Sequence, residues 1–235
     1  MKLDLLKPVI VIPGRWNAAI LSPEWLAPHF FNLDQDSIDG NIIEVYESGA
    51  LTKNILFIDG IGIAASDARV EIFASAEDAD HFGMVQSAAH RLLSALAHTP
   101  IGACGYNFSF SDLGDNEAFQ DLLEVEDPLK GELVRTNSKV SSTYEYSNDV
   151  ELNVQKDQRR QSLSLNFHRR IAPNEEAAEA LAAFPLIDAF AFAKEVTAKY
   201  FGIESYRVSA FDVPNHRGVN DDKGEAQSAQ AVESR

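Results

Sequence analysis

Hydrophobic and polar positions follow one another along this chain in an order that occurs twice. Short apolar or alternating runs are typical of strands, and apolar residues three or four positions apart are typical of helices. Residues 8–98 have the order strand, helix, three strands, helix, and residues 101–201 have the same order. The pattern predicts an α+β fold, a tandem pseudo-repeat of two β-α-β-β-β-α units with antiparallel sheets and helices packed on one face.

The first predicted unit covers residues 1–100. A hydroxyl N-cap at Ser22, followed by Pro23 and Glu24, favours a helix start there. The apolar residues of the last helix form one stripe, which indicates that this helix covers a sheet. The predicted strands are 8–12, 41–47, 54–63 and 69–74, and the predicted helices begin at 22 and span 78–98.

The second predicted unit covers residues 101–213. Its last helix starts near Asn174, and Pro185 either kinks that helix or begins another one. From residue 214 to 235 the chain is polar and has no periodicity, which predicts a disordered tail. The predicted strands of this unit are 101–110, 140–146, 150–154, 163–167 and 206–211, with a short helix that begins at 115.

Charge and composition narrow the function classes. The net charge is −16, and such a field repels phosphate backbones, so general nucleic-acid binding is disfavoured and basic partners are favoured. The one cysteine, Cys104, excludes an intramolecular disulfide and a cysteine-based metal cluster. Neither a secretion signal nor an apolar run of about 18 residues is evident, which predicts a cytoplasmic protein with no membrane association.

A glycine-containing segment is the one formal match to a cofactor motif. Gly60, Gly62 and Ala65 fit the pattern G-x-G-x-x-A directly after an apolar run. In a dinucleotide-binding fold these positions let the backbone approach a pyrophosphate at a helix N-terminus. The residues that follow alternate like a strand, so the favoured interpretation is a strand that leads into a hairpin turn. We therefore predict no cofactor.

Carboxylates flank the same segment. Asp59 and Asp67 are candidate ligands for Mg²⁺, since hard cations prefer oxygen ligands, but a third ligand is not evident and turn formation explains both residues. No pair of histidines has the spacing of a zinc-binding helix. Cys104 lies in an apolar strand, where its thiol is expected to be inert. The histidines are His29, His81, His90, His98, His168 and His216.

Basic residues concentrate only around the last predicted hairpin. The favoured interpretation is that these charged residues protect a strand edge from unwanted pairing. The alternative is that they form a binding site for an anion or an acidic partner. These candidate partner-binding residues are Lys156, Arg159, Arg160, Arg169 and Arg170.

The repeat and the missing catalytic constellation together favour a non-enzymatic interaction or assembly protein that uses a sheet face or edge. Its partner is then another protein or a second copy of the chain. One alternative is an enzyme or small-molecule binder with a pocket between sheet and helices, holding Asp59, His90 or His168. The other is a nucleic-acid binder that uses the basic hairpin 156–170.

Overall fold

The computed structural model describes most of the chain. The side chains of Tyr46, Glu47, Ala50, Gln161 and of residues 137–156 are outside this description. The predicted helix at 115, Arg159, Arg160 and the predicted tail also lie outside it. The described residues are 1–34, 40–47, 50–111, 118, 121, 137–144, 147–156, 161–172 and 175–210.

The N-terminal segment forms two strands, a short 3₁₀ helix (Ala18–Ile20) and one irregular helix. Strand β1 (Lys2–Asp4) was not predicted, whereas β2 (Ile10–Pro13) lies in the predicted apolar run. Helix α1 (Pro23–Leu26) begins as predicted, because the Ser22 hydroxyl accepts a hydrogen bond from the Trp25 amide at 3.4 Å. A π-helical turn, Ala27–Phe31, continues it and brings Phe30 into the core.

Four strands follow, where three were predicted. The predicted strand 54–63 is wrong as a single element, because the chain reverses at Asp59 and Gly60, which have φ values of 50° and 83°. Two consecutive residues with positive φ are typical of the two-residue hairpin turn, and Asp-Gly is a preferred sequence for it. The strands are β3 (Asn41–Glu47), β4 (Ala50–Ile58), β5 (Ile61–Ala65) and β6 (Arg69–Ala74).

Helix α2 (Ala79–Ala95) matches the predicted helix over most of its length. Asp78 is its N-cap and accepts a hydrogen bond from the His81 amide at 2.8 Å. The His81 amide and ring hold the pKa of the Asp78 carboxyl below its usual value. Phe82, Val85 and Leu92 are fully buried, so the predicted apolar stripe does face the core.

The described part of the second half includes four more strands, two helices and a short terminal strand. Pro185 separates the helices, which confirms one of the two predicted alternatives, because Pro185 is the N-cap of the second helix. The elements are β7 (Ala103–Ser111), β8 (Asn137–Tyr144), β9 (Ser147–Lys156), β10 (Gln161–Arg170), α3 (Ala177–Ala182), α4 (Leu186–Phe201) and β11 (Arg207–Ser209).

The strands of both predicted units belong to one curled, mostly antiparallel sheet. Its strand order is β3-β4-β5-β6-β2-β7-β10-β9-β8, so β2 and β7 join the two halves. Strand β1 also pairs with β7, and on its other side it pairs in parallel with β11. The α+β class and the antiparallel sheet are therefore confirmed, while the pseudo-repeat and the unit boundaries stay predictions.

The main core lies between one face of this sheet and the helices. Cross-strand neighbours on β6, β2 and β7 supply Ile72, Ile10 and Tyr106, and α2 and α4 pack on them with Phe82 and Phe190. In the N-terminal region, Trp16, Phe30 and Phe31 are buried, and Trp25 is partly exposed. A smaller apolar cluster of Ile55, Phe57, Ala64 and Phe73 lies on the other face of β4–β6.

Candidate functional sites

The glycine segment forms the tip and the second strand of the β4–β5 hairpin. Gly60 occupies the turn, and strand β6 rather than a helix comes next. At Gly62, an added Cβ would lie 2.6 Å from the Phe57 ring, which explains why a residue without a side chain stands there. Ala65 is exposed at the end of β5. The predicted hairpin turn after the glycine segment is present between β5 and β6, whereas the turn at Asp59 and Gly60 was not predicted.

The candidate magnesium ligands lie at opposite ends of β5. Asp59 stands in the turn before this strand and Asp67 in the turn after it. A five-residue strand is roughly 16 Å long, so the structure does not bring the two carboxylates together. The Asp67 carbonyl accepts a hydrogen bond from the Trp16 amide at 3.0 Å and thereby anchors the loop after β2. Within the described ranges, no group of three or more histidine, cysteine or acidic residues is arranged to hold a metal.

The basic residues do not form one patch among the described positions. In the backbone register, Lys156 of β9 is opposite Gln161, at one end of β10. Arg169 and Arg170 lie at the other end of β10, roughly 27 Å away for a strand of this length. Arg169 forms an ion pair with Glu175 and donates to the Ala180 carbonyl at 3.3 Å. Its guanidinium is therefore part of the contact between β10 and the segment leading into α3.

Cys104 behaves as its apolar strand predicts. It is 3% exposed, and burial raises the pKa of its thiol to about 11. A thiol with such a pKa remains protonated at neutral pH and is a poor nucleophile. The void beside it has a volume of about 10 Å³, which holds no more than a water molecule. This position is structural.

A large cleft opens at one end of the sheet. Its volume is about 950 Å³, and it is lined by the loop after β2, the end of α2 with the segment that follows it, the start of β7, and residues 171–172 and 175–178. His168 of β10 is among the residues that line this cleft. His90 is exposed on α2 and lines none of the clefts described here.

A second cleft of about 530 Å³ includes Asp59, together with Asp80 and Arg91. The Arg91 guanidinium is already engaged, because its Nε and Nη2 donate to the Phe30 carbonyl at 3.1 and 2.6 Å. Burial lowers the pKa of Arg91. This arginine joins α2 to the end of the π-helical turn, so its role is to hold two elements together.

A polar network joins α2, β7 and the α3–α4 junction, and sequence reasoning missed it. The Tyr106 hydroxyl lies 2.9 Å from the Leu181 carbonyl oxygen and 2.6 Å from that of Phe184. Gln86 Nε2 donates to the same two oxygens at 3.2 and 3.3 Å, and its Oε1 accepts from the Leu186 amide at 2.9 Å. The carbonyls lie about 75 positions or more from Tyr106, so no local pattern signals the contact.

The Glu77 carboxyl is partly buried and has a raised pKa. Its Oε2 atom is buried and has no hydrogen-bond partner within the described part of the chain. Burial raises the pKa of Glu77, while the Tyr206 hydroxyl and the Lys194 ammonium act in the opposite direction. Tyr206 also packs edge-on against Phe110, so Glu77 lies where α2 meets the C-terminal segment.

Strand β3 is one end of the strand order, and it pairs only with β4 among the described strands. Its Ile42 is 64% exposed, although its cross-strand neighbour Leu56 packs against the main core. Ile42 therefore extends the apolar helix-side face beyond the area that the helices cover. Leu51, on the neighbouring strand, is 49% exposed. An apolar terminal strand without lysine was the sequence signal for this edge.

The comparisons with known proteins add no family. No protein-family model matches this chain, and no curated protein matches it. In the described part of the chain, no helix is long and apolar enough to cross a membrane.

Proposed function

We propose that this protein is a non-enzymatic, cytoplasmic interaction or assembly protein, and that it binds an extended segment of another protein along β3. The observation that carries the proposal is the exposure of Ile42 on the terminal strand of the sheet. In this mode of recognition, backbone hydrogen bonds to an edge strand provide affinity, and alternate side chains provide specificity.

The two terminal strands differ in a way that favours β3. Strand β8, at the other end, has the sequence Asn-Ser-Lys-Val-Ser-Ser-Thr-Tyr, which is polar and contains Lys139. Lysine and polar residues are common protections against unwanted strand pairing. Strand β3 has the sequence Asn-Ile-Ile-Glu-Val-Tyr-Glu and contains neither lysine nor proline. It therefore combines high strand propensity with an apolar exposed residue.

Charge indicates the chemistry of the partner. The chain has a net charge of −16, and β3 contributes Glu44 and Glu47 but no basic residue. The net negative charge of the whole chain favours a basic segment over an acidic one. If that segment alternates apolar and basic residues, its apolar row can lie beside Ile42, on the face that Ile42 shares with Glu44. A second copy of the chain would bring two acidic strands together, so the proposal commits to a different protein.

The test measures the binding of four synthetic seven-residue peptides by fluorescence anisotropy. The first alternates valine with lysine, and the second has glutamate in place of lysine. The third is the lysine peptide with alternate backbone amides N-methylated, and the fourth is a scrambled form. We expect the lysine peptide to bind with a Kd on the order of 100 μM and the other three at least tenfold more weakly.

Matched variants locate the binding. Ile42→Thr keeps a β-branched residue but removes an apolar contact, and it is expected to weaken binding about fivefold. Val208→Thr is the control, since Val208 is 41% exposed on β11. Equal binding of the N-methylated peptide would exclude strand pairing. Sedimentation equilibrium tests the other occupant: a dimer that Ile42→Thr dissociates would place a second copy on β3 and contradict the proposal.

The large cleft favours a second candidate function, a small-molecule binder. In support, His168 is among the residues that line this cleft. Its volume of about 950 Å³ falls within the range of ligand sites. Titrations with small molecules test this candidate independently of β3.

A further inference from the structure

A short segment after α4 crosses from the helices back to the sheet, and we call its residues 203–210 the strap. The strap follows Gly202, which has a φ of 64°, and an added Cβ there would meet no atom of another segment within 4 Å. It contains β11, which pairs only with β1 among the described strands. A residue at the end of a helix, with open space around it, is a suitable hinge.

The strap is attached to the sheet by a ladder of three residue pairs. At the two ends of this ladder, the Leu5 amide donates to the Ser209 carbonyl at 2.7 Å, and the Arg207 amide donates to the Met1 carbonyl at 3.1 Å. Arg207 and Val208 are exposed, and parallel pairing is slightly less stable per residue than antiparallel pairing. Segments with few buried contacts and exposed backbone hydrogen bonds open locally, at a lower free energy than the core.

Tyr206 attaches the strap to three other elements. Its ring packs edge-on against Phe110 of β7 and Phe190 of α4, with centroid separations of 5.9 and 6.4 Å. Its hydroxyl forms a hydrogen bond with the carboxyl of Glu77, the residue before the N-cap of α2. Burial and the charge of Glu77 raise the pKa of Tyr206, so its hydroxyl stays protonated at neutral pH and can donate. The strap is therefore closed by one side chain that contacts β7, α4 and the start of α2.

The surroundings of the Glu77 carboxyl favour its neutral form. Its Oε2 atom is buried and has no hydrogen-bond partner within the described residues, and burial of a charge without such a partner is costly. Burial raises the pKa of Glu77, against the opposing effect of the Tyr206 hydroxyl. The charged neighbours are Lys194 of α4, which favours the ionised form, and Asp78, which disfavours it. Ionisation of Glu77 is therefore easier when the strap is open and the carboxylate can reach water.

We infer that the strap is a proton-sensitive closure over the edge of β1, latched by Tyr206 and Glu77, and that it opens at Gly202 more readily once Glu77 is ionised. Opening leaves β1 paired on its β7 side alone. A strand edge with unpaired backbone groups can accept a further strand. The strap therefore controls access to a second edge of the sheet, and this inference is independent of binding at β3.

The test is native-state hydrogen exchange of the full chain, followed in ¹⁵N–¹H spectra from about pH 4.5 to about pH 7.5. The reporters are the amides of Leu5 and Arg207, and the reference is the amide of Phe108, inside β7. We expect the reporters to be at least about tenfold less protected than Phe108, because the strap opens without the rest of the fold. Their protection, corrected for the intrinsic exchange rate, should fall at least about threefold as pH rises, since a group with a raised pKa stabilises the closed state only while it is protonated.

Variants separate the latch from general packing. Glu77→Gln cannot ionise, so its reporters should show no pH trend and should be at least about threefold better protected than those of the unmodified chain at about pH 7.5. Tyr206→Phe keeps the ring and removes the hydroxyl, which should lower reporter protection about fivefold. Glu195→Gln is the matched control, since Glu195 is exposed on α4, and it should behave like the unmodified chain.

Three results would overturn the inference. The first is reporter protection as strong as that of Phe108, which would mean that the strap opens only when the whole fold does. The second is a pH trend that persists in Glu77→Gln. The third is unchanged reporter protection in Tyr206→Phe.

Discussion

Removal of the Tyr106 hydroxyl tests how the helices are fastened to the sheet. Tyr106 is 3% exposed, and its hydroxyl lies 2.6 Å from the Phe184 carbonyl oxygen. Gln86 Nε2 lies 3.3 Å from the same oxygen. Tyr106→Phe keeps the ring and leaves both carbonyls with the Gln86 contacts alone. We expect a loss of about 2 kcal/mol, about 1 for the net hydrogen bond and about 1 for buried carbonyls that are less well satisfied.

A double-mutant cycle separates this network from general packing. Gln86→Leu removes two donors and the acceptor of the Leu186 amide, so its cost should exceed that of Tyr106→Phe. The double variant should lose at least about 0.5 kcal/mol more than the sum of the single losses, because two buried carbonyls then have neither partner. Urea unfolding followed by far-ultraviolet circular dichroism gives the free energies of unfolding.

Tyr200→Phe is the matched control. Tyr200 is 59% exposed on α4, and its loss of a hydroxyl should change stability by less than about 0.5 kcal/mol. If Tyr106→Phe changed stability as little as this control, or if the cycle were additive, the network would not fasten α3 and α4 to β7. The reasoning would then be refuted.

Three further predictions concern Gly62, Cys104 and Glu77. Gly62→Ala should cost about 1–3 kcal/mol in urea unfolding, because the new Cβ meets the buried Phe57 ring; unchanged stability would contradict this close approach. Cys104 should not react with a thiol reagent at pH 8 in the native protein and should react fully in denaturant, since burial raises its pKa to about 11; native reactivity would show an accessible thiolate. Burial also raises the pKa of Glu77, so its ionised form is penalised in the folded state and Glu77→Gln should stabilise the protein at pH 7. That gain should disappear below the unfolded pKa of about 4.3, and a pH series of unfolding curves that shows no such trend would refute it.

Local patterns predicted most of the elements. The helix start at Ser22, the stripe of α2 and the separation of two helices at Pro185 each depend on residues within a few positions of one another. The split of residues 54–63 also had a local signal, the Asp59-Gly60 turn, which the continuous apolar run obscured.

Contacts between distant residues were not predictable in this way. The pairing of Leu3 with Val208 joins the first strand to the last described strand, and neither three-residue strand is long enough to show alternation. The Tyr106–Leu181 contact was also not predictable, because a hydrogen bond between a hydroxyl and a distant backbone carbonyl leaves no periodic pattern in the sequence. The lining of the large cleft likewise comes from segments more than a hundred residues apart, since it includes both Arg15 and Glu176.

The most direct measurement of the proposed interaction is amide hydrogen exchange of the full chain with and without a saturating amount of the valine–lysine peptide. The account predicts slower exchange for amides of β3, and no change for those of β8 or β11. The protection should be lost with the N-methylated peptide. Exchange in β3 that is unchanged by the peptide, or protection spread over other strands, would contradict strand addition at this edge.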